Sequence, residues 1–138
     1  MRLADGGASV GAIGRGFLVL LGVAPGDGPD EVGWVADKIA HLRVFEDGDG
    51  KMNRALGEVG GSVLVVSQFT LYGDVRSGRR PGFAAAARPD VAEPRYAEVV
   101  ERLRAHGLAV ATGAFGRAMH VESVNDGPVT LWLDTDVR

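Results

Sequence analysis

The stretch Gly60-Gly61-Ser62-Val63-Leu64-Val65-Val66-Ser67-Gln68-Phe69-Thr70-Leu71-Tyr72 decides how the rest of the chain is read. Two glycines launch it, a valine-rich apolar run follows, and the second half turns polar. Branched side chains lose freedom in a helix and pack well on a pleated surface, so Ser62–Tyr72 is expected as a strand. An apolar run without alternation marks a strand covered on both faces. Its polar end, Ser67 to Thr70, would face a cleft.

Upstream, the turn Ile13-Gly14-Arg15-Gly16 feeds a second unbroken run, Phe17–Ala24 (FLVLLGVA), also expected as a strand buried on both faces. Ala24-Pro25-Gly26-Asp27-Gly28 breaks it. Pro29 suits the first helical position, with Asp30 and Glu31 where the helix dipole favours them. Val32, Val35, Ala36, Ile39 and Leu42 or Arg43 keep a helical period to about Val44. Downstream, Gly73–Pro81 (GDVRSGRRP) reads as a loop holding Arg76, Arg79 and Arg80, and Ala84–Ala87 as a short helical turn. A second helix is expected from about Glu93 to His106, with Tyr96, Val99, Val100 and Leu103 inward and Gly107 as its stop. Leu108–Thr112, Met119–Val124 and Val129–Asp134 read as strands, the last two joined across Asn125-Asp126-Gly127-Pro128. Strands with two helices make a mixed α/β layer architecture.

At 138 residues the chain is expected to form one domain, residues 1–138, large enough for a core without staples. Its 46% apolar and 24% charged content excludes wholesale disorder. With no cysteine, a disulfide scaffold, a thiolate metal site and a Cys nucleophile are all excluded. The net charge of −3 disfavours a protein that coats nucleic acid by bulk electrostatics, while leaving room for a local basic patch. The longest apolar run falls short of the roughly 20 residues of a membrane helix. Met1–Gly7 has no signal-like stretch, so no membrane association and a cytoplasmic location are expected.

Four constellations bear on chemistry. His41, His106 and His120 lie far apart with no second ligand at a recognised spacing, so no metal is expected. Ser67 lacks the glycine flanks of a nucleophile elbow, and no base is placed to activate it or Thr70. Asn125-Asp126-Gly127-Pro128-Val129-Thr130 is rich in turn residues and reads as a plain hairpin turn or as something more. An X-Pro bond costs only about 0.5–1 kcal/mol to hold cis, and a cis bond would aim two successive carbonyls the same way as a rigid rim. Arg76, Arg79 and Arg80, with Lys51 and Arg54, form either a solvated charge run or phosphate contacts at a cleft mouth.

Together, Ser67-Gln68-Phe69-Thr70-Leu71 and Asn125-Asp126-Gly127-Pro128-Val129-Thr130 resemble the D-aminoacyl-tRNA deacylase family. Gly50-Lys51-Met52-Asn53, Gly60–Val66 and Arg80-Pro81-Gly82-Phe83 fall between them in the family's order. The resemblance runs from about Gly11 to Leu133, and the joint order and spacing carry it. It implies a D-aminoacyl-tRNA deacylase-like fold, with mixed β-sheets in barrel-like layers and two main helices on one side. The chain starts downstream of the family's usual first strand, so that strand is expected to be missing.

The resemblance further implies a homodimer, needing no cofactor, that hydrolyses the ester joining a D-amino acid to the 3′-terminal adenosine of tRNA. Active sites would lie at the subunit interface. Ser67, Gln68, Phe69 and Thr70 would form the catalytic floor in one subunit, and a cis Gly127-Pro128 from the other would act as chirality filter. Asn125, Thr130 and Met119 are candidate substrate-binding residues; Arg76, Arg79, Arg80 and Lys51 are candidate contacts to tRNA phosphates. Glycine has no Cβ to exclude, so glycyl-tRNA is an expected second substrate. The rival readings are an inactive module binding the acceptor end of tRNA, and a hydrolase of small D-amino acid derivatives acting through Thr70.

Overall fold

The computed structural model describes the backbone of residues 2–5 and the whole of residues 8–138. In chain order the strands are β1 (Arg2–Asp5), β2 (Ala8–Ala12), β3 (Gly16–Leu21), β4 (Phe45–Glu46), β5 (Met52–Arg54), β6 (Ser62–Ser67), β7 (Ala109–Thr112) and β8 (His120–Glu122). Helix α1 spans Pro29–His41 and α2 spans Pro89–Ala105.

The decisive strand lies at the centre. β6 pairs in parallel with β3 on one side and β7 on the other, so its backbone is bonded along both edges. Val63, Leu64, Val65 and Val66 are buried, and successive side chains serve opposite faces. Val63 and Val65 meet Val32, Ala36 and Ile39 of α1 and Tyr96, Val99, Val100 and Leu103 of α2. Both helices therefore cover the same face. Leu64 and Val66 point the other way, against Ile13, Leu18, Ala111 and Met119. The Tyr96 hydroxyl donates to the Val65 carbonyl at 2.8 Å, tying α2 to the central strand.

Sheet β2-β1-β8 is antiparallel, and a β4–β5 hairpin stands apart. The hairpin is held by Phe45, which stacks on Phe17 with ring centroids 5.2 Å apart, under the Arg15 guanidinium. Gly11 of β2 comes directly against the Thr112 carbonyl of β7. The barrel-like closure expected above goes no further than this approach: among the described residues the ladders form separate sheets.

Several expectations are corrected. Ser62–Tyr72 is a strand only to Ser67, followed by a 3-10 turn over Phe69–Tyr72. The reason is local. β3 ends at Leu21, opposite Ser67, and β7 ends at Thr112, opposite Val65, so beyond Gln68 the backbone must close its own i→i+3 bonds. Phe17–Ala24 is not buried on both faces: β3 is the edge of its sheet, and Leu20 is 43% exposed. Helix α1 stops at His41, because Leu42 leaves the helical region at φ −58°, ψ 130°. Helix α2 starts at Pro89, ahead of Glu93, since Pro89 already suits the first position and Ala92 is buried. Pro94 is then interior; it and Asp90, whose carbonyl loses its partner, face solvent. Ala84–Ala87 is a turn in which the Ala86 N–H reaches the Phe83 carbonyl. Val129–Asp134 is not a strand. Among the described residues it has no neighbouring strand to pair with, and Val129, Leu131 and Trp132 stand exposed.

His41 and His106, distant in sequence, meet edge to face at the ends of the two helices, with ring centroids 5.1 Å apart. Among the described residues, no helix is long and apolar enough to cross a membrane.

Candidate active site

The 3-10 turn hangs from the end of the most buried strand. The Gln68 N–H makes the last ladder-like bond, to the Leu21 carbonyl at 2.8 Å. The turn is then closed by Leu71 N–H to the Gln68 carbonyl and Gly73 N–H to the Thr70 carbonyl, at 3.2 and 2.9 Å. The first N–H groups of such a turn have no partner within it. Those of Phe69 and Thr70 are therefore the donors the turn leaves unused, on residues that are themselves exposed. Ser67 and Gln68 are half-buried behind them. The Gln68 side-chain amide donates to the Thr70 hydroxyl oxygen. That partner is a neutral amide, which cannot take the hydroxyl's proton.

Behind the turn, the Tyr72 ring lies over Gly22. Burial, with Asp27 adding to it, pushes the Tyr72 hydroxyl above its ordinary pKa. Phe69 is 55% exposed and meets the Phe83 ring edge-on.

The arginine loop begins at once. Asp74 and Gly82 exchange two backbone bonds, at 2.7 and 2.9 Å, closing the loop between them. The Asp74 carboxylate binds Arg76 three times, accepting from its backbone N–H, Nε and Nη2 at 3.0, 2.9 and 2.8 Å. Arg79 and Arg80 are exposed and reach out from the same loop. Arg76 is thus clasped to Asp74, a pairing the Asp-x-Arg spacing signalled, while its side chain stays 89% exposed. Lys51 is not on this loop. It sits on the β4–β5 hairpin, anchored through Phe45 on Phe17, at the opposite end of β3 from Leu21.

The Arg76 side chain and backbone hold the Asp74 carboxyl below the ordinary carboxylate range. A lowered carboxylate pKa contributes stability above its unfolded value, about 3.9 for Asp, and loses it only as pH falls through the lowered folded value. The Arg76 Nε proton signal is thus expected to stay in its bound position down through pH 4. Loss of that signal's shift at pH 5 or above would contradict the clasp.

The second segment is the loop at Gly127-Pro128. Its peptide bond is cis, and Gly127 adopts φ +130°. Asn125 staples the loop from within: its Oδ1 accepts the Val129 N–H at 2.9 Å and its Nδ2 donates to the Thr130 hydroxyl at 2.8 Å. Asn125 and Thr130 thus bind each other across Gly127-Pro128. Met119 is half-buried against Leu64 and Val66, and its sulfur accepts the Ala114 N–H at 3.3 Å, so its observed role is packing. Every residue from 120 to 132 is exposed. No hydrogen bond or ring contact among the described residues joins this loop to Ser67–Thr70 within the chain.

The sequence alone points to no role for Asp74, which clasps Arg76, or for Phe83, which loop closure brings against Phe69 and Gly73. Asp74 carried a local signal, its spacing to Arg76; the Phe83 contact depends on loop closure and had none.

The family model described as D-Tyr-tRNA(Tyr) deacylase matches residues 2–134. The D-aminoacyl-tRNA deacylase of Symbiobacterium thermophilum is 60% identical over 135 residues, covering 98% of this chain and 89% of its own. That of Thermus aquaticus is 60% identical over 137 residues, covering 99% and 90%. Among solved structures, the c-Myc DNA Unwinding Element Binding Protein superposes with a TM-score of 0.89 at 39% identity, over 97% of this chain and 91% of that one. A probable eukaryotic D-amino acid tRNA deacylase shares the fold, with a TM-score of 0.70 at 19% identity over 86% and 85% of the two chains. A match this long, with relatives this close, settles the kinship that two short motifs had suggested: the chain belongs to the D-Tyr-tRNA(Tyr) deacylase family.

Proposed function

We propose that the protein is a cytoplasmic editing hydrolase that cleaves the ester between a D-amino acid and the 3′-terminal adenosine of tRNA. The observation that carries this reading is the Phe69–Tyr72 turn, with two N–H groups it leaves unused and an amide as the partner of the Thr70 hydroxyl. Such a site can stabilise an oxyanion and position water but has nothing to activate its own nucleophile. The ribose 2′-OH of the substrate then assists the attack of water, with Ser67 and Gln68 ordering ribose and water.

The site works between two copies of the chain. Val121, Val124, Val129, Leu131 and Trp132 form an exposed apolar tract around the Gly127-Pro128 loop, with Trp132 70% exposed. An apolar tract left bare in a protomer suits burial by a partner. Gly127-Pro128 of one subunit would complete the Ser67–Thr70 floor of the other. Its carbonyls would meet the Cβ of an L-amino acid and spare a D one, so rejection ignores side-chain identity. Glycine passes the same rim, which makes glycyl-tRNA a substrate. Arg79 and Arg80, exposed beside the floor, would contact tRNA phosphates, with Lys51 at a separate point on the surface.

The test is single-turnover deacylation of D-tyrosyl-tRNA and L-tyrosyl-tRNA by the 138-residue chain. Cleavage of the D ester alone is expected. Saturable tRNA binding with neither ester cleaved would overturn the reading in favour of a binding module.

A further inference from the structure

The aromatic ring behind the catalytic floor has no role in the chemistry above, yet it touches both ends of the turn. Phe83 meets Phe69, the turn's first residue, edge-on, with ring centroids 5.1 Å apart and planes at 73°. It also lies against Gly73, just past the last residue: a Cβ added there would come within 3.1 Å of Phe83 Cε1. What places it so is loop closure. The Asp74–Gly82 pair of backbone bonds brings residue 83 back beside residue 73. Asp74 in turn holds Arg76 through three bonds, so the loop's first half is fixed to the same anchor. At the far end, the Ala87 N–H bonds to the Val23 carbonyl at 2.8 Å, two residues beyond the Leu21 carbonyl that holds Gln68.

We infer that Phe83 is a positioning residue for the deacylation reaction, a brace that fixes the direction of the Phe69 and Thr70 N–H groups through its contacts with Phe69 and Gly73. This rests on the proposed function and deepens it. A 3-10 turn has poor hydrogen-bond geometry and only a few bonds of its own. Two residues of this one are exposed on their outer side, so its orientation depends on what backs it. Oxyanion donors act through direction as much as through presence, so a turn that tilts loses rate without losing substrate affinity. The same ring links the turn to the loop bearing Arg79 and Arg80, so substrate contact and donor alignment share one support.

The experiment compares Phe83→Ala, Phe83→Leu and Phe83→Tyr in the full chain. Phe83→Ala is expected to lower kcat on D-tyrosyl-tRNA by about 10- to 100-fold, with KM held within about twofold. Phe83→Tyr, which keeps the ring edge, restores kcat; Phe83→Leu, which keeps apolar volume without the flat edge, does not. The Leu71 and Gly73 amides, whose bonds close the turn, are expected to exchange about tenfold faster in Phe83→Ala and Phe83→Leu, with the Val63–Val66 amides unchanged. Should Phe83→Ala lose its folded baseline, Phe83→Leu carries the comparison. A rise in KM at constant kcat would overturn the inference in favour of RNA binding, and unchanged kinetics and exchange would overturn it outright. A wild-type chain without D-ester turnover would instead refute the proposed function, and the exchange rates alone would then decide whether Phe83 braces the turn.

Discussion

A tRNA ending in 2′-deoxyadenosine and charged with D-tyrosine is expected to be cleaved about 100- to 10,000-fold more slowly than its ribose counterpart, the range that a well-placed proton-transfer group supplies. Thr70→Ala is expected to stay within about tenfold of wild type, the loss of one side-chain hydrogen bond. The reasoning starts at the Thr70 hydroxyl, whose partner is the Gln68 amide. A hydroxyl is a weak nucleophile until something takes its proton, and an amide does not. A neighbouring 2′-OH is present on every natural substrate and lies next to the ester. Parallel single-turnover assays with both tRNAs and both proteins decide the matter. Abolished turnover in Thr70→Ala, with the deoxy substrate still reacting, would make Thr70 the nucleophile and revive the small-molecule hydrolase.

The second large effect is on stereochemistry. Gly127→Ala is expected to raise the ratio of L- to D-tyrosyl-tRNA cleavage by about tenfold or more, or to abolish cleavage of both. Gly127 sits at φ +130°, where side chains are strained, and its added Cβ would lie 2.9 Å from Val129 Cγ2 and 3.2 Å from Val129 N. Val129 N is also the group that Asn125 holds. The loop must therefore shift against its own staple, and a steric filter is sensitive to displacements that small. Asn125→Ala, which removes the staple without crowding the loop, is expected to shift the ratio in the same direction by less. Undiminished chirality in both variants would remove the loop from the selection step.

The parts of this protein that were legible in the sequence are those whose partners are dictated by burial. Val63–Val66 had to lie in a covered strand, and the inward residues of α2, Tyr96, Val99, Val100 and Leu103, are all buried. What was not legible depended on where a neighbouring strand stops. Nothing in Ser67-Gln68-Phe69-Thr70 says that β3 ends at Leu21, and that ending turns an expected strand into a 3-10 turn. Val129–Asp134 shows the converse: a strand-like pattern with no neighbouring strand among the described residues stays irregular. At the site, the reactive turn and the Gly127-Pro128 loop were found through family resemblance, because Ser, Thr, Asn and Gly are also ordinary turn residues. The contact of Phe83 with Phe69 emerges only once the loop is closed in space.

The uninterrupted exposure of residues 120–132 sets a hierarchy of failure. The proposed hydrolytic turn hangs from the most deeply covered strand, β6, and is backed by Phe83. In the single chain the Gly127-Pro128 loop rests on the short strand β8 and on Asn125, so it is held by fewer bonds than the turn. With the two segments in their proposed roles, fidelity is expected to decay before speed as temperature or denaturant rises. An enzyme acting as proposed would pass through a careless stage on its way to inactivity, destroying correctly charged tRNA along with the faulty kind.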